Sequence, residues 1–258
     1  MNRLLTITYG SWLEFCHNSK STMRLISAFT AAAIPVLLGS LPTSLCAAEP
    51  GVALAIIYDS SGSMRETVRD REGRSSPKYL IGNRALAAVA DQVQAFATPK
   101  TGAAPREVHA GLFIFQGSGA RAVVPFGPLD SAAIKNWAAK FNQPNGSTPL
   151  GNAMQAGHDA VMKSPLPRKH VLVITDGENT AGPNPAAVLP RLGRSAGQDR
   201  PGVSFHFVAF DVDAKVFAPI KKLGATVVSA SDEQQLNSQL GYILQEKILL
   251  EEEEPKKN

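Results

Sequence analysis

The sequence predicts an α/β fold, with a doubly wound, mostly parallel sheet and helices on both faces. Short apolar runs alternate with longer segments of helical periodicity along the chain. The runs VALAIIY (52–58) and KHVLVIT (169–175) are rich in apolar residues, as strands buried on both faces are. Apolar residues make up 44% and charged residues 19% of the 258 residues, which is typical of a globular domain. These observations indicate one sheet covered by helices on both sides.

The first half of the domain begins with the predicted strand 52–58. A polar loop from Arg65 to Pro77 follows, and then a helix whose apolar residues recur on one face. The predicted strands 107–116 and 121–127 are joined by the short segment GSGA, which indicates a hairpin and therefore one antiparallel edge strand. Residues 130–141 predict a helix that starts with an Asp or Ser cap.

The second half continues the alternation. Pro149 occupies the first position of a predicted helix, where its missing N–H costs nothing. The elements predicted after this helix are a strand over 169–175, a helix near Ala186–Leu192, a strand over 203–210, a helix over 214–224, a strand over 225–231 and a final helix from Asp232 to Leu250.

The N-terminal residues predict a leader. From Met23 to Ala48, an Arg, an apolar run and small residues follow one another as in a secretory signal peptide cleaved near Ala48. An uncleaved membrane anchor is the alternative, and the short, proline-containing apolar run favours cleavage. Residues 1–22 fit no part of a signal peptide, so Met23 is the predicted start. We expect a periplasmic or secreted protein, composed of a leader (1–48), a folded domain (49–250) and a charged tail (251–258).

Composition argues against two kinds of function. After the leader, 26 − 3 = 23 basic and 22 − 1 = 21 acidic residues remain, a net charge of +2 without a basic stripe among aromatics, so nucleic acid is not an expected partner. Both cysteines, Cys16 and Cys46, lie in the leader, so the domain is expected to lack disulfides and thiol chemistry. The sequence also contains no nucleophile elbow, P-loop, dinucleotide-binding glycine motif or H-E-x-x-H motif.

Oxygen-bearing side chains follow the predicted strands. Asp59, Ser61 and Ser63 come after the first strand, Asp176 comes after strand 169–175, and Thr148 lies in the Gly-rich loop before a helix. Ligands in open α/β sheets bind outside the carboxyl ends of the strands, so these side chains are expected to converge. An all-oxygen donor set suits a hard divalent cation. The alternatives are local turns at Asp59 and Asp176 and a helix cap at Thr148.

The motifs D-x-S-x-S (59–63), the threonine of STPLGNA and the aspartate of VITDGEN together resemble the metal-ion-dependent adhesion site of von Willebrand factor type A domains, in their bacterial form. The resemblance covers residues 51–245 and implies a Rossmann-like sheet. It implies a metal site made of Asp59, Ser61, Ser63, Thr148 and Asp176, which holds Mg²⁺, with Mn²⁺ or Ca²⁺ as alternatives. It also implies an open coordination position for an Asp or Glu of a protein partner.

We therefore expect an exported, metal-dependent protein-binding or adhesion module rather than an enzyme. An accessory or assembly factor for an envelope enzyme complex is the alternative, and a metal-dependent hydrolase is less favoured. Arg65, Arg69, Arg71 and Arg74 of the polar loop, with Glu178 beside the last metal motif, are the candidate partner-binding residues. A solvated loop without a binding role is the other interpretation of this segment.

Overall fold

The computed structural model describes residues 51–100, 104–194 and 202–250. The predicted leader (1–48) and charged tail (251–258) lie outside the described residues. Within the described ranges, no helix combines the length and the apolar character needed to cross a membrane.

A six-stranded sheet forms the centre of the fold. The strands, in chain order, are β1 (Val52–Tyr58), β2 (Thr67–Arg69), β3 (Ser75–Pro77), β4 (Val108–Gln116), β5 (Gly119–Pro128), β6 (Arg168–Thr175), β7 (Val203–Phe210) and β8 (Thr226–Ala230). The central sheet has the order β5-β4-β1-β6-β7-β8, and only its β4–β5 pair is antiparallel. The predicted mostly parallel sheet with one antiparallel edge strand is therefore confirmed.

Helices cover both faces of this sheet. They are α1 (Lys78–Ala97), α2 (Ser131–Lys140), α3 (Leu150–Met162), α4 (Pro185–Arg194), α5 (Ala218–Lys222) and α6 (Glu233–Ile243). Helices α1, α2 and α6 contribute to one hydrophobic core, and α3, α4 and α5 contribute to the other. The predicted final helix is divided, because the chain continues beyond α6 in a π-helical segment, Leu244–Leu249.

Strand β1 shows why the sequence forms this layered structure. All seven of its residues are buried, and alternate side chains enter opposite cores because successive side chains of a strand point to opposite faces. Ala53, Ala55 and Ile57 pack on one side, while Ile56 and Tyr58 pack on the other. Strand β1 pairs with β4 on one edge and with β6 on the other, so the strand order reverses beside it. The carboxyl end of β1 is thus the position where ligands of doubly wound sheets bind.

The segment predicted to be a polar loop is instead partly ordered as a two-stranded ribbon, formed by β2 and β3. Asp70 holds its turn together by accepting hydrogen bonds from the backbone N–H groups of Glu72 and Arg74 and from the Ser76 hydroxyl. Gly73 has a φ of 78°, a left-handed conformation that favours glycine. The ribbon was not predicted because its short strands are mainly polar.

A buried histidine pair lies between β6 and β7. Nδ1 of His170 is 3.2 Å from Nε2 of His206, and the two rings are stacked at 5.4 Å. Burial, followed by the charges of His206 and Arg168, lowers the pKa of His170 to about 3. Burial, followed by the charge of Lys247, lowers the pKa of His206 to about 4. Both imidazoles are therefore neutral at physiological pH, as expected of structural histidines.

Candidate metal centre

Three loops meet at the carboxyl end of the sheet. The loop after β1 carries Asp59, Ser61 and Ser63, the loop after β6 carries Asp176, and the loop before α3 carries Thr148. Backbone hydrogen bonds connect the loops: Asn145 N to Ser60 O at 2.8 Å, Gly62 N to Gly146 O at 3.2 Å and Thr180 N to Thr148 O at 3.0 Å. The relative positions of the three loops are thus fixed by the main chain.

Asp59 is fully buried at the end of β1. Its Oδ1 accepts a hydrogen bond from the Ser61 N–H at 2.8 Å, and its Oδ2 accepts one from the Thr175 hydroxyl at 2.6 Å. Burial, reinforced by the charge of Asp176, raises the pKa of Asp59 to about 6 even though these hydrogen bonds favour the carboxylate. Nearby positive charge would therefore stabilise the ionised form of this group.

A row of oxygen atoms connects the first loop to the second. The hydroxyl oxygens of Ser61 and Ser63 lie 3.0 Å apart, and the Ser63 hydroxyl donates to Asp176 Oδ1 at 2.8 Å. Asp176 is also buried, and this burial raises the pKa of its carboxyl group. The structure thus brings both predicted carboxylates and both predicted serine hydroxyls together.

Thr148 lies beside Gly177, next to the same hypothetical side-chain position as Ser63. A methyl carbon added to Gly177 would lie 3.6 Å from the Thr148 hydroxyl oxygen and 3.9 Å from that of Ser63. Thr148 is buried, and its backbone N–H donates to the Thr180 hydroxyl at 2.8 Å. The capping position of α3 is Pro149, and no side chain caps that helix. The helix-cap alternative for Thr148 is therefore wrong.

The gathered side chains fit a hard divalent cation. They comprise two carboxylates and three hydroxyls, all oxygen donors of the kind that Mg²⁺ and Ca²⁺ bind. Among the residues that the structure describes, no group of three or more His, Cys, Asp or Glu could hold a metal ion, so the serine and threonine hydroxyls are essential to such a site. The raised pKa values of both carboxyls show that the cluster favours added positive charge.

Lys78 is a part of the centre that the sequence analysis missed. Its side chain is 2% exposed, and its Nζ lies 3.2 Å from Asp176 Oδ2, 2.8 Å from Glu66 Oε2 and 2.9 Å from Asp211 Oδ2. Burial alone would lower the pKa of Lys78, but hydrogen bonds to Glu66 and Asp211 and the charge of Asp176 outweigh it and raise the pKa. The available sequence signal was a lysine at the start of a predicted helix, where the helix dipole disfavours a cation.

The candidate partner-binding residues lie in the segments that follow Ser63 and Asp176. Arg71 and Arg74 are exposed on the ribbon but form ion pairs inside it, Arg71 with Glu72 and Arg74 with both Asp70 and Glu72. Arg65 and Arg69 are also exposed, and among the described residues they have no ion-pair partner. Glu178, two residues beyond Asp176, is likewise exposed.

At Gly151, in the first turn of α3, the helix packs closely against the backbone of the segment that contains Pro183. A methyl carbon at this position would collide with the backbone carbonyl of Pro183, in the segment that follows β6. A glycine is therefore required for the loop after β6 to pass this close to the helix that follows Thr148.

Residues 54–178 match the family model described as von Willebrand factor type A domain. No curated protein matches the sequence. Among solved structures, the chain is similar to the PilB minor pilin from Streptococcus sanguinis, with 15% identity and a TM-score of 0.56 over 76% of this chain and 61% of the pilin. The aerotolerance-related membrane protein from Bacteroides fragilis shows 17% identity and a TM-score of 0.55 over 76% of this chain and 98% of that one.

A third similar structure is proximal thread matrix protein 1 from the mussel byssus, described with a zinc-occupied MIDAS (metal-ion-dependent adhesion site) motif. It shares 15% identity with a TM-score of 0.55, over 76% of this chain and 48% of that protein. The chain thus spans less than two thirds of the pilin and of the thread matrix protein. At these identities the structural matches establish a shared fold. The family match separately indicates a von Willebrand factor type A domain over residues 54–178.

Proposed function

Because the chain carries a von Willebrand factor type A domain, we propose that it is an exported protein-binding module that acts through a divalent cation. Asp59, Ser61, Ser63, Thr148 and Asp176 are the proposed ligand set. The observation that carries the proposal is the convergence of these oxygen donors, from three loops, at the carboxyl end of the sheet. Mg²⁺ is the proposed ion, and Mn²⁺, Ca²⁺ and Zn²⁺ are the alternatives to be compared with it.

The chain's own residues prepare the centre for such an ion. The Ser61 N–H and the Thr175 hydroxyl fix the orientation of the Asp59 carboxylate. Asp176 accepts the hydroxyl hydrogen of Ser63, so the oxygen lone pairs of that serine remain available to a cation. When bound, the ion supplies an open coordination position that an Asp or Glu of a protein partner fills. Binding rather than catalysis is proposed because such a bridge requires no reacting group on this chain.

The similar structures support this proposal by what they are described as. One is a minor pilin, and another is a byssal matrix protein with zinc in a MIDAS motif. Export is proposed from the sequence of the leader, which has the order of a secretory signal peptide. The proposed location is therefore the periplasm or the cell exterior.

Metal binding is tested first, by calorimetric titration of the metal-free protein with each of the four cations. Wild type is expected to bind one ion, and Asp59→Ala is expected to bind none while retaining its circular dichroism spectrum. Asp91→Ala is the control, because this exposed aspartate on α1 pairs only with Lys135 among the described residues. Absence of metal binding by the wild type would refute the proposed function.

Partner binding is tested with the native envelope fraction, using immobilised wild type and Asp59→Ala in Mg²⁺ and in EDTA. A protein retained by wild type in Mg²⁺ alone is expected. Retention that persists in EDTA, or on the Asp59→Ala protein, would contradict a metal bridge.

The ribbon, together with Arg65 just before it, is proposed to select an acidic segment of that partner. Arg65 and Arg69 have no ion-pair partner among the described residues, whereas Arg71 and Arg74 are neutralised within the ribbon. Replacing the first pair by alanine should weaken partner binding about tenfold and reduce its salt dependence, while replacing the second pair should have a smaller effect. Equal affinity of the wild type and both double variants would identify the ribbon as a solvated surface.

A further inference from the structure

An ionic cluster around the buried ammonium of Lys78 adjoins the candidate metal centre. We call Lys78, Glu66, Asp176 and Asp211 the Lys78 cluster. Its members come from four segments: the loop after β1, the start of α1, and the ends of β6 and β7. All three hydrogen-bond donors of the ammonium have a carboxylate within 3.2 Å. Asp176 is shared, because its Oδ1 accepts from Ser63 and its Oδ2 accepts from Lys78.

Stability alone is a poor explanation for this cluster. Removing an ammonium from water is costly, and buried ion pairs often stabilise a protein no more than apolar side chains of the same volume. The chain also places Asp211 at a φ of 56°, and no other non-glycine residue in the described ranges has a positive φ. Backbone conformations of this kind concentrate at functional sites. These features indicate that the Lys78 cluster has a functional role at the adjacent metal centre.

We propose that Lys78 is a positioning residue that acts as a built-in cation and sets the metal affinity of the centre. This inference rests on the proposed function. The ammonium neutralises much of the charge of Asp176, so a divalent ion experiences an attraction closer to that of one carboxylate than of two. The ion is consequently held less tightly by the protein and keeps more of its charge for the carboxylate of a partner. Glu66 and Asp211 keep the ammonium at this position.

A purely structural role for Lys78 leads to the opposite expectation. If the lysine only tethered Asp176, its loss would disorganise the centre and weaken metal binding. If it acts through its charge, its loss leaves Asp176 unopposed and strengthens metal binding. The direction of the change in affinity therefore distinguishes the two roles.

The test is calorimetric titration of the full-length wild type, Lys78→Met and Asp211→Asn with Mg²⁺ and Mn²⁺ at pH 7.5. Methionine is unbranched and uncharged and only one heavy atom shorter than lysine, and Lys78→Met should bind about ten- to hundredfold more tightly than wild type. Asp211→Asn removes a negative charge from the cluster and should bind about two- to fivefold more weakly. Asparagine also tolerates the left-handed conformation at this position. Lys135→Met, at an exposed lysine of α2, is the matched control and should bind like wild type.

The outcomes separate this inference from the proposed function. Metal binding by wild type with equal or weaker binding by a folded Lys78→Met protein overturns the role of Lys78 and leaves the proposed function intact. If Lys78→Met does not fold, an unchanged affinity of Asp211→Asn overturns it instead. Binding by Lys78→Met alone supports the charge effect and overturns the proposed function. Absence of binding in all proteins overturns both.

Discussion

The Asp59→Asn substitution is expected to make the metal-free protein more stable while abolishing metal binding. Asp59 is fully buried, and raising its pKa from 3.8 to about 6 corresponds to about 3 kcal/mol against the ionised folded state. Because the pKa of Asp59 is higher in the folded than in the unfolded protein, protonation of Asp59 stabilises the folded state. This stabilisation is complete below pH 3.8 and is lost as the pH rises through about 6. The full cost is therefore present in the metal-free protein at pH 7.5.

Asparagine resembles the protonated aspartate, and the surroundings can accommodate it. Its side-chain oxygen can accept the Ser61 N–H, and its amide can donate to the Thr175 hydroxyl, which can turn toward the Gly177 carbonyl 3.3 Å away. Allowing about 1 kcal/mol for imperfect hydrogen bonding, the variant should be about 2 kcal/mol more stable than metal-free wild type. Saturating Mg²⁺ should stabilise wild type alone, by about 2.7 kcal/mol at a hundred times its Kd.

The assay is urea unfolding of both proteins in EDTA and in Mg²⁺, at pH 7.5 and at pH 4. The advantage of the variant in EDTA should disappear at pH 4, where folded wild type is protonated at Asp59. Wild type that equals or exceeds the variant in stability at pH 7.5 in EDTA would refute the electrostatic reasoning. Mg²⁺ stabilisation of both proteins to the same extent would show that the ion binds elsewhere.

Three further predictions concern the surroundings of the centre. Burial lowers the pKa values of His170 and His206 below 6.5. Between pH 7 and pH 5, the free energy of unfolding of wild type, measured in urea, should therefore fall by about 4 kcal/mol more than that of a variant with glutamine at both positions. Parallel pH profiles of the two proteins would contradict this. Gly151→Ala should destabilise the protein by about 1–3 kcal/mol, because its methyl group meets the Pro183 carbonyl, and an unchanged Tm would show that the backbone adjusts freely. Asp70→Ala should increase hydrogen exchange in the ribbon, because the turn loses four hydrogen bonds, while exchange in the central sheet stays constant.

The sequence was informative where burial leaves a regular pattern. Strands β1 and β6 were predicted because both of their faces are apolar, and their polar ends then marked Asp59 and Asp176. The hairpin of β4 and β5 was predicted from the Gly-rich segment between two apolar runs. The convergence of the oxygen donors followed from the general rule for the carboxyl ends of parallel strands.

The sequence was uninformative where contacts join residues far apart in the chain. Lys78 pairs with carboxylates from three separate loops, and no local pattern predicts such a meeting. The ribbon was missed because strands of three residues carry too little periodicity to distinguish them from a loop. At the end of β7, the carboxylate of Asp211 contacts Lys78, whereas Asp213 caps the 3-10 helix Ala214–Phe217, and the sequence alone does not distinguish these two roles.

The central position of β1 has a kinetic consequence for anything bound at its end. A strand that is paired along both edges is among the last parts of a domain to open. Because Asp59 directly follows such a strand, we expect its position to be kept until the whole domain unfolds. The loop that carries Thr148 is joined to its neighbours through three backbone hydrogen bonds at its ends. The part of the centre formed by the end of β1 is therefore expected to open only when the whole domain unfolds.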